Sequence, residues 1–227
     1  MPIAVICCKV LEREVRALLG GTPEVSAAVH VEVLEWGLHT RPEVLRDVVA
    51  ERVRAVSARV DAVLLGYGRC QAMDRLPADL GVPLFFPPAE DCIGVLLGQD
   101  RYAQELQREA GTWFMTPGWA DMGIDFIFHE LQMARFAAKG IDPLQVARRM
   151  LANYTRALFI DMGLGDRASL LQKARAVADA FDLRLEITTG NLALLRETWQ
   201  RVQAAAKMAC RGVDRDGRIG SGHGRQR

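Results

Sequence analysis

The run Ile3-Ala4-Val5-Ile6-Cys7-Cys8 decides how this chain folds. It is a continuous apolar stretch of strand length, and helical spacing follows it directly over 11–19. Working outward, the same alternation recurs. Val29-His30-Val31-Glu32-Val33-Leu34 alternates as a strand with one more deeply buried face, and 42–60 carries helical spacing, with Thr40 as its cap and Pro42 in its first turn. Ala62-Val63-Leu64-Leu65 and Val82-Pro83-Leu84-Phe85-Phe86 complete four candidate strands. Strands separated by helices pair in parallel through right-handed crossovers.

A second series has the same form. Thr112-Trp113-Phe114-Met115-Thr116 reads as a strand, 121–139 as a long helix ended by Gly140, and 141–151 as another helix. Strands at 157–160 and 183–187 bracket a helix over 167–181, and a last helix runs from Asn191 to about Lys207. The expected class is α/β and Rossmann-like: mainly parallel sheet with helices on both faces. It is built as two similar βα lobes or as one long doubly wound sheet. Residues 1–110 form the N-terminal lobe and 111–207 the C-terminal lobe. The Arg-, Gly- and Asp-rich residues 208–227 form a disordered tail.

Composition narrows the function. Lys and Arg total 29 against 28 acidic residues, a formal charge of +1, so nothing in the balance calls for nucleic acid or an anionic membrane. No apolar run approaches the roughly 18–20 residues of a membrane span, and the first residues lack a signal-peptide pattern. The expected location is the cytoplasm, where thiols stay reduced. Five cysteines there read as packing residues, metal ligands or reactive thiols rather than disulfides.

Four residues follow four different strands. Cys8 ends the first, His39 follows the second, Cys70 the third and Cys92 the fourth. In open parallel sheets ligands bind outside the carboxyl ends of strands, where strand order reverses, and adjacent strands lie only about 4.8 Å apart. Three thiols and an imidazole suit zinc or an iron–sulfur cluster. Long separations argue against a zinc finger and favour a functional site on a rigid scaffold. Buried packing is the alternative for each cysteine, since free cysteine is among the most buried residue types. Lys9, Arg69 and the start of a helix at Cys92, capped by Asp91, are expected to favour thiolates if their charge faces inward.

Glycine loops follow the later strands. Thr116-Pro117-Gly118-Trp119 offers an indole to a crevice. Asp161-Met162-Gly163-Leu164-Gly165-Asp166-Arg167-Ala168 fits the Gly-x-Gly-x-x-Ala dinucleotide pattern, with Glu186 further on, and Gly190 precedes the last helix. Gly118, Trp119, Asp161, Gly163, Gly165 and Gly190 are therefore candidate cofactor contacts, with helix capping and tight turns as the competing explanation. His129 is read as structural, and the Phe and Met residues near it as core. Neither a phosphate-loop lysine motif nor His-Glu-x-x-His occurs.

The segments Cys8-Lys9-Val10-Leu11-Glu12-Arg13-Glu14, Leu38-His39, Gly66-Tyr67-Gly68-Arg69-Cys70, Asp91-Cys92-Ile93 and Thr116-Pro117-Gly118-Trp119 resemble domain-of-unknown-function family 1638 over about residues 3–200. The resemblance implies no established activity. By association it points to microbes with corrinoid-dependent methyl-transfer systems, where zinc thiolates and iron–sulfur clusters both have uses. Three readings stand at this point. One is a metal-dependent enzyme or component of one-carbon methyl transfer, with a small-molecule ligand or a corrinoid-system protein as partner. Another is a non-catalytic metal or cofactor carrier or sensor. The third is a metal-free nucleotide or small-molecule binder.

Overall fold

Strand β1 (Ile3–Cys8) is buried along its whole length, as an uninterrupted apolar run requires. It pairs in parallel with β2 (Val29–Leu34) on one side and β3 (Ala62–Gly66) on the other. A two-residue β4 (Leu84–Phe85) lies beyond β3, giving the order β2-β1-β3-β4. The fourth strand is shorter than expected because prolines flank it and bring no amide donor. The computed structural model describes residues 2–20 and 29–216.

Alternation along β1 sends its side chains to two cores. Ala4, Ile6 and Cys8 meet α2 (Pro42–Ser57) through Leu45, Val49 and Val53. Ile3, Val5 and Cys7 face the other way, toward Val15 and Leu19 of α1 (Glu12–Leu19). Helix α2 is capped differently from expectation: Arg41 is the cap residue, while the Thr40 hydroxyl donates to the Gly37 carbonyl at 2.8 Å. Short helices α3 (Gln71–Asp74), α4 (Cys92–Leu97) and α5 (Gln99–Arg108) finish this half.

The second half forms its own parallel sheet, β5 (Thr112–Met115), β6 (Arg156–Asp161) and β7 (Arg184–Thr189), in sequence order. Two sheets, not one long one, resolve that choice. The expected long helix over 121–139 is broken into α6 (Pro117–Met122), α7 (Ile124–Glu130) and α8 (Ala134–Ala137). Gly123 and Gln132 interrupt it with φ of 61° and 54°, a left-handed backbone that no right-handed helix continues through. Helix α9 (Pro143–Met150) follows, capped by Asp142, and α10 (Arg167–Ala180) is capped by Asp166. At the far end of the sheet the fully buried Arg156 is held by Glu105, Glu186 and Thr112.

The last helix, α11 (Ala193–Asp216), corrects two expectations. It continues past residue 208 to Asp216, so the start of the supposed tail is helical; 217–227 lie outside the described residues. It also leaves the second sheet and seats Trp199, Val202 and Ala206 on Val5, Cys7 and Leu64 of the first. That spacing is one helical face. A boundary at 207 thus cuts a helix that covers the N-terminal sheet.

Glu14 of α1 is fully buried, and among the described residues neither carboxyl oxygen has a hydrogen-bond partner. Burial therefore pushes its pKa from 4.5 to about 7. Between those values the folded chain keeps a proton that the unfolded chain releases, so stability falls as pH rises through this window and levels off above it. The expected loss is about 3 kcal/mol relative to Glu14→Gln, which lacks the ionisation. Urea unfolding of both proteins from pH 4.5 to 7.5 reads this directly. Parallel stability curves would refute the assignment.

Candidate functional site at the strand ends

Between β1 and β3 the strand order of the first sheet reverses, and the carboxyl ends open there onto a cavity of about 380 Å³. Reversal leaves a crevice because the connections on either side run in opposite directions. Cys8, His39, Cys70 and Cys92 all line this cavity. Cys7, one residue before, faces the opposite core beneath α11, where packing accounts for it. The described cysteines carry no disulfide.

Two loops meet to bring Cys70 and Cys92 to the same wall. The Arg69 amide donates to the Ala89 carbonyl at 2.6 Å. Gly68 lies so close to Asp91 that a Cβ there would stand 2.4 Å from the Asp91 carbonyl carbon. Asp91 then fixes Cys92 at the start of α4: one carboxyl oxygen accepts from the Gly94 amide and the other from the Tyr102 hydroxyl, each at 2.8 Å. The expected cap is present.

The second lobe supplies the opposite wall. Gly118 sits on the Val10 backbone, where any side chain would collide with the Val10 carbonyl oxygen at 2.4 Å. That seat puts Trp119 over the cavity, its ring stacked on Phe126 at 4.7 Å. Gly37 packs equally tightly against the His129 ring, and Trp36 covers that ring at 4.5 Å. This contact draws His39 to α7, where its Nε2 lies 2.5 Å from Glu130 Oε1. The pair is close but not aligned as a hydrogen bond, and Glu130 Oε1 remains without one.

The electrostatics differ from the sequence expectation. Lys9 turns outward to Glu12, and Arg69 turns outward to Asp74. Among the described residues no lysine or arginine lines the cavity, while Asp91 and Glu130 do. Burial pushes the Cys8 thiol up to about 11 and raises Cys92 further, outweighing any help from the helix start. Values this high favour the protonated thiol at neutral pH. Among the described residues, no three His, Cys, Asp or Glu side chains stand at the spacing of a finished metal site.

Two polar atoms on this cavity's lining residues are buried without a partner among the described residues, the Tyr67 hydroxyl and Trp119 Nε1; Glu130 Oε1 has no aligned hydrogen bond but stands against His39 Nε2. A buried donor or acceptor left unpaired costs about 1–3 kcal/mol. Tyr67 was visible in sequence only as a residue between glycines, and Glu130 only as a neighbour of His129. Tyr67 shares a segment with Cys70, but no local signal joins Glu130 to a cysteine, because strand order and the Gly37 contact do that.

Of the six candidate cofactor contacts only Trp119 lines the thiol cavity. Asp161 is held by Arg167 and by the Gly163 amide, contacts that keep its carboxyl below the usual range. Gly163 and Gly165 take positive φ of 65° and 78°, and Gly165 abuts Arg13. Gly190 is packed on Met162 and Ile160. Glu186 is engaged by Arg156, Arg184 and Arg108. Turn geometry and packing account for this loop's glycines.

A family model described as "Protein of unknown function (DUF1638)" matches residues 33–199. No curated protein matches the chain.

The loop contact predicts a specific sensitivity. Gly68→Ala forces backbone against backbone at Asp91, where nothing flexible can yield, and should cost about 1–3 kcal/mol. Gly163→Ala meets no neighbour within 4 Å and pays only for its positive φ, about 1 kcal/mol. Denaturant midpoints of the two variants check the ordering. A Gly68→Ala protein as stable as wild type would remove the loop contact from the account.

Proposed function

The chain belongs to the family described as Protein of unknown function (DUF1638), and from that premise we propose that it binds a thiophilic metal, zinc or an iron–sulfur cluster, in the strand-end cavity. Cys8, Cys70 and Cys92 are the sulfur ligands. His39 is the fourth ligand or an acid/base group, with Glu130 beside its Nε2.

One observation carries the reading: four soft or borderline donors from four separate strand ends line one cavity that has carboxylates and, among the described residues, no lysine or arginine around it. Sulfur and imidazole donors suit zinc and iron–sulfur centres, and a negatively biased wall suits a cation. Each cysteine sulfur can be re-aimed by rotation about its single χ1 bond. The Glu130 contact also fits, because metal-binding histidines commonly engage a carboxylate through the other ring nitrogen. When bound, zinc would supply an activated sulfur nucleophile, and a cluster would supply electron transfer.

The finer reading places the protein in the cytoplasm, as an enzyme or accessory component of corrinoid-dependent one-carbon methyl transfer. It rests on association with the family's microbial setting. The chain's own residues contribute a largely apolar, thiol-lined crevice with Trp119 and Tyr67 in its walls.

Metal and labile-sulfide analysis of protein purified without air tests the reading. Stoichiometric metal, lost in Cys70→Ser, is the expected result; Cys70 is half-buried at the edge of the first core, and the change swaps one sulfur for an oxygen. Visible absorption identifies a cluster, and colourless metal-loaded protein identifies zinc. Metal-free protein that Cys70→Ser leaves unchanged would sink it.

A further inference from the structure

Metal ligation leaves part of the cavity without a role. Tyr67 is only 4% exposed, its hydroxyl has no partner among the described residues, and its ring lines the cavity. Trp119 Nε1, on the opposite wall, is likewise buried and unpaired. An indole N–H can only donate, and Glu130 Oε1 as a carboxylate oxygen can only accept. Val10, Leu45 and Ile93 make the surrounding wall apolar. At about 380 Å³ the space is at the small end of ligand cavities.

These features define a guest by charge and by hydrogen bonding. An anion would enter beside Asp91 and Glu130 with no lysine or arginine lining the cavity to meet it among the described residues. A pure cation would satisfy Glu130 but leave the indole N–H unpaired. A neutral group that both accepts and donates matches the donor-only indole, the Tyr67 hydroxyl that can do either, and the Glu130 carboxylate, which can accept beside its His39 contact. We infer that the cavity is also a binding site for a small uncharged molecule of the amide class, whose carbonyl accepts from Tyr67 or Trp119 and whose N–H donates toward Glu130. The inference concerns the cavity of the proposed metal site, but it stands on Tyr67, Trp119 and Glu130, not on the thiols.

Three isosteric probes separate the possibilities: acetamide, acetate and acetamidinium share one shape and differ in charge. Ligand-observed NMR titrations are run at neutral pH on chelator-treated protein and on zinc-loaded protein. The expected order has acetamide binding at least tenfold more tightly than either ion, and Tyr67→Phe weakening acetamide at least fivefold. Trp119→Phe gives a second variant, should Tyr67→Phe fail to fold. Acetate or acetamidinium binding best would overturn the inference. So would acetamide that binds no better than the ions or ignores both substitutions, which is the pattern of a cavity holding only water. Acetamide bound to protein that takes up no metal upholds this inference while the metal reading fails. Metal taken up without acetamide binding does the reverse.

Discussion

The cavity exists because two loops can touch backbone to backbone at Gly68 and Asp91. The segment after β3 and the segment after β4 would otherwise diverge from neighbouring strands, carrying Cys70 and Cys92 apart. With no side chain at Gly68, the Arg69 amide reaches the Ala89 carbonyl and Asp91 sets the start of α4. Cys92 then faces the wall that Cys8 reaches from β1 and Cys70 from the loop after β3. A similar intimacy recurs one layer down, where Gly66 admits the Cys7 side chain between paired strands.

The second lobe completes the cavity from above. Two more glycines set its approach, Gly118 against Val10 and Gly37 against His129, and they deliver Trp119 and the His39–Glu130 pair. Covering the thiols also buries them, and burial raises the Cys8 and Cys92 pKa values well above the ordinary thiol range. Asp91 and Glu130 stand beside these thiols, and among the described residues no lysine or arginine lines the cavity.

Much of this was legible in the sequence, and the limits have physical causes. Apolar runs and helical spacing locate the seven strands, because burial period survives in one dimension. The strand-end positions of Cys8, His39, Cys70 and Cys92 follow from the same reading. The broken helix over 121–139 was not legible, since Gln132 adopts a left-handed backbone that its residue type does not advertise. The return of α11 to the first sheet was hidden too; an apolar face does not name the sheet it covers. Lys9 and Arg69 misled because proximity in sequence says nothing of direction, and both found carboxylates on the outside. Glu130 could not be found without the fold, since it lies in another lobe from the cysteines it joins.

The central claim is that three thiols from three strand ends converge on one metal. X-ray absorption at the metal edge of anaerobically purified protein measures that convergence in a single spectrum. The account predicts a shell of about three sulfurs at roughly 2.3 Å, completed by a nitrogen or oxygen neighbour if the metal is zinc. A shell of nitrogen and oxygen alone, on whatever metal the protein retains, would contradict it.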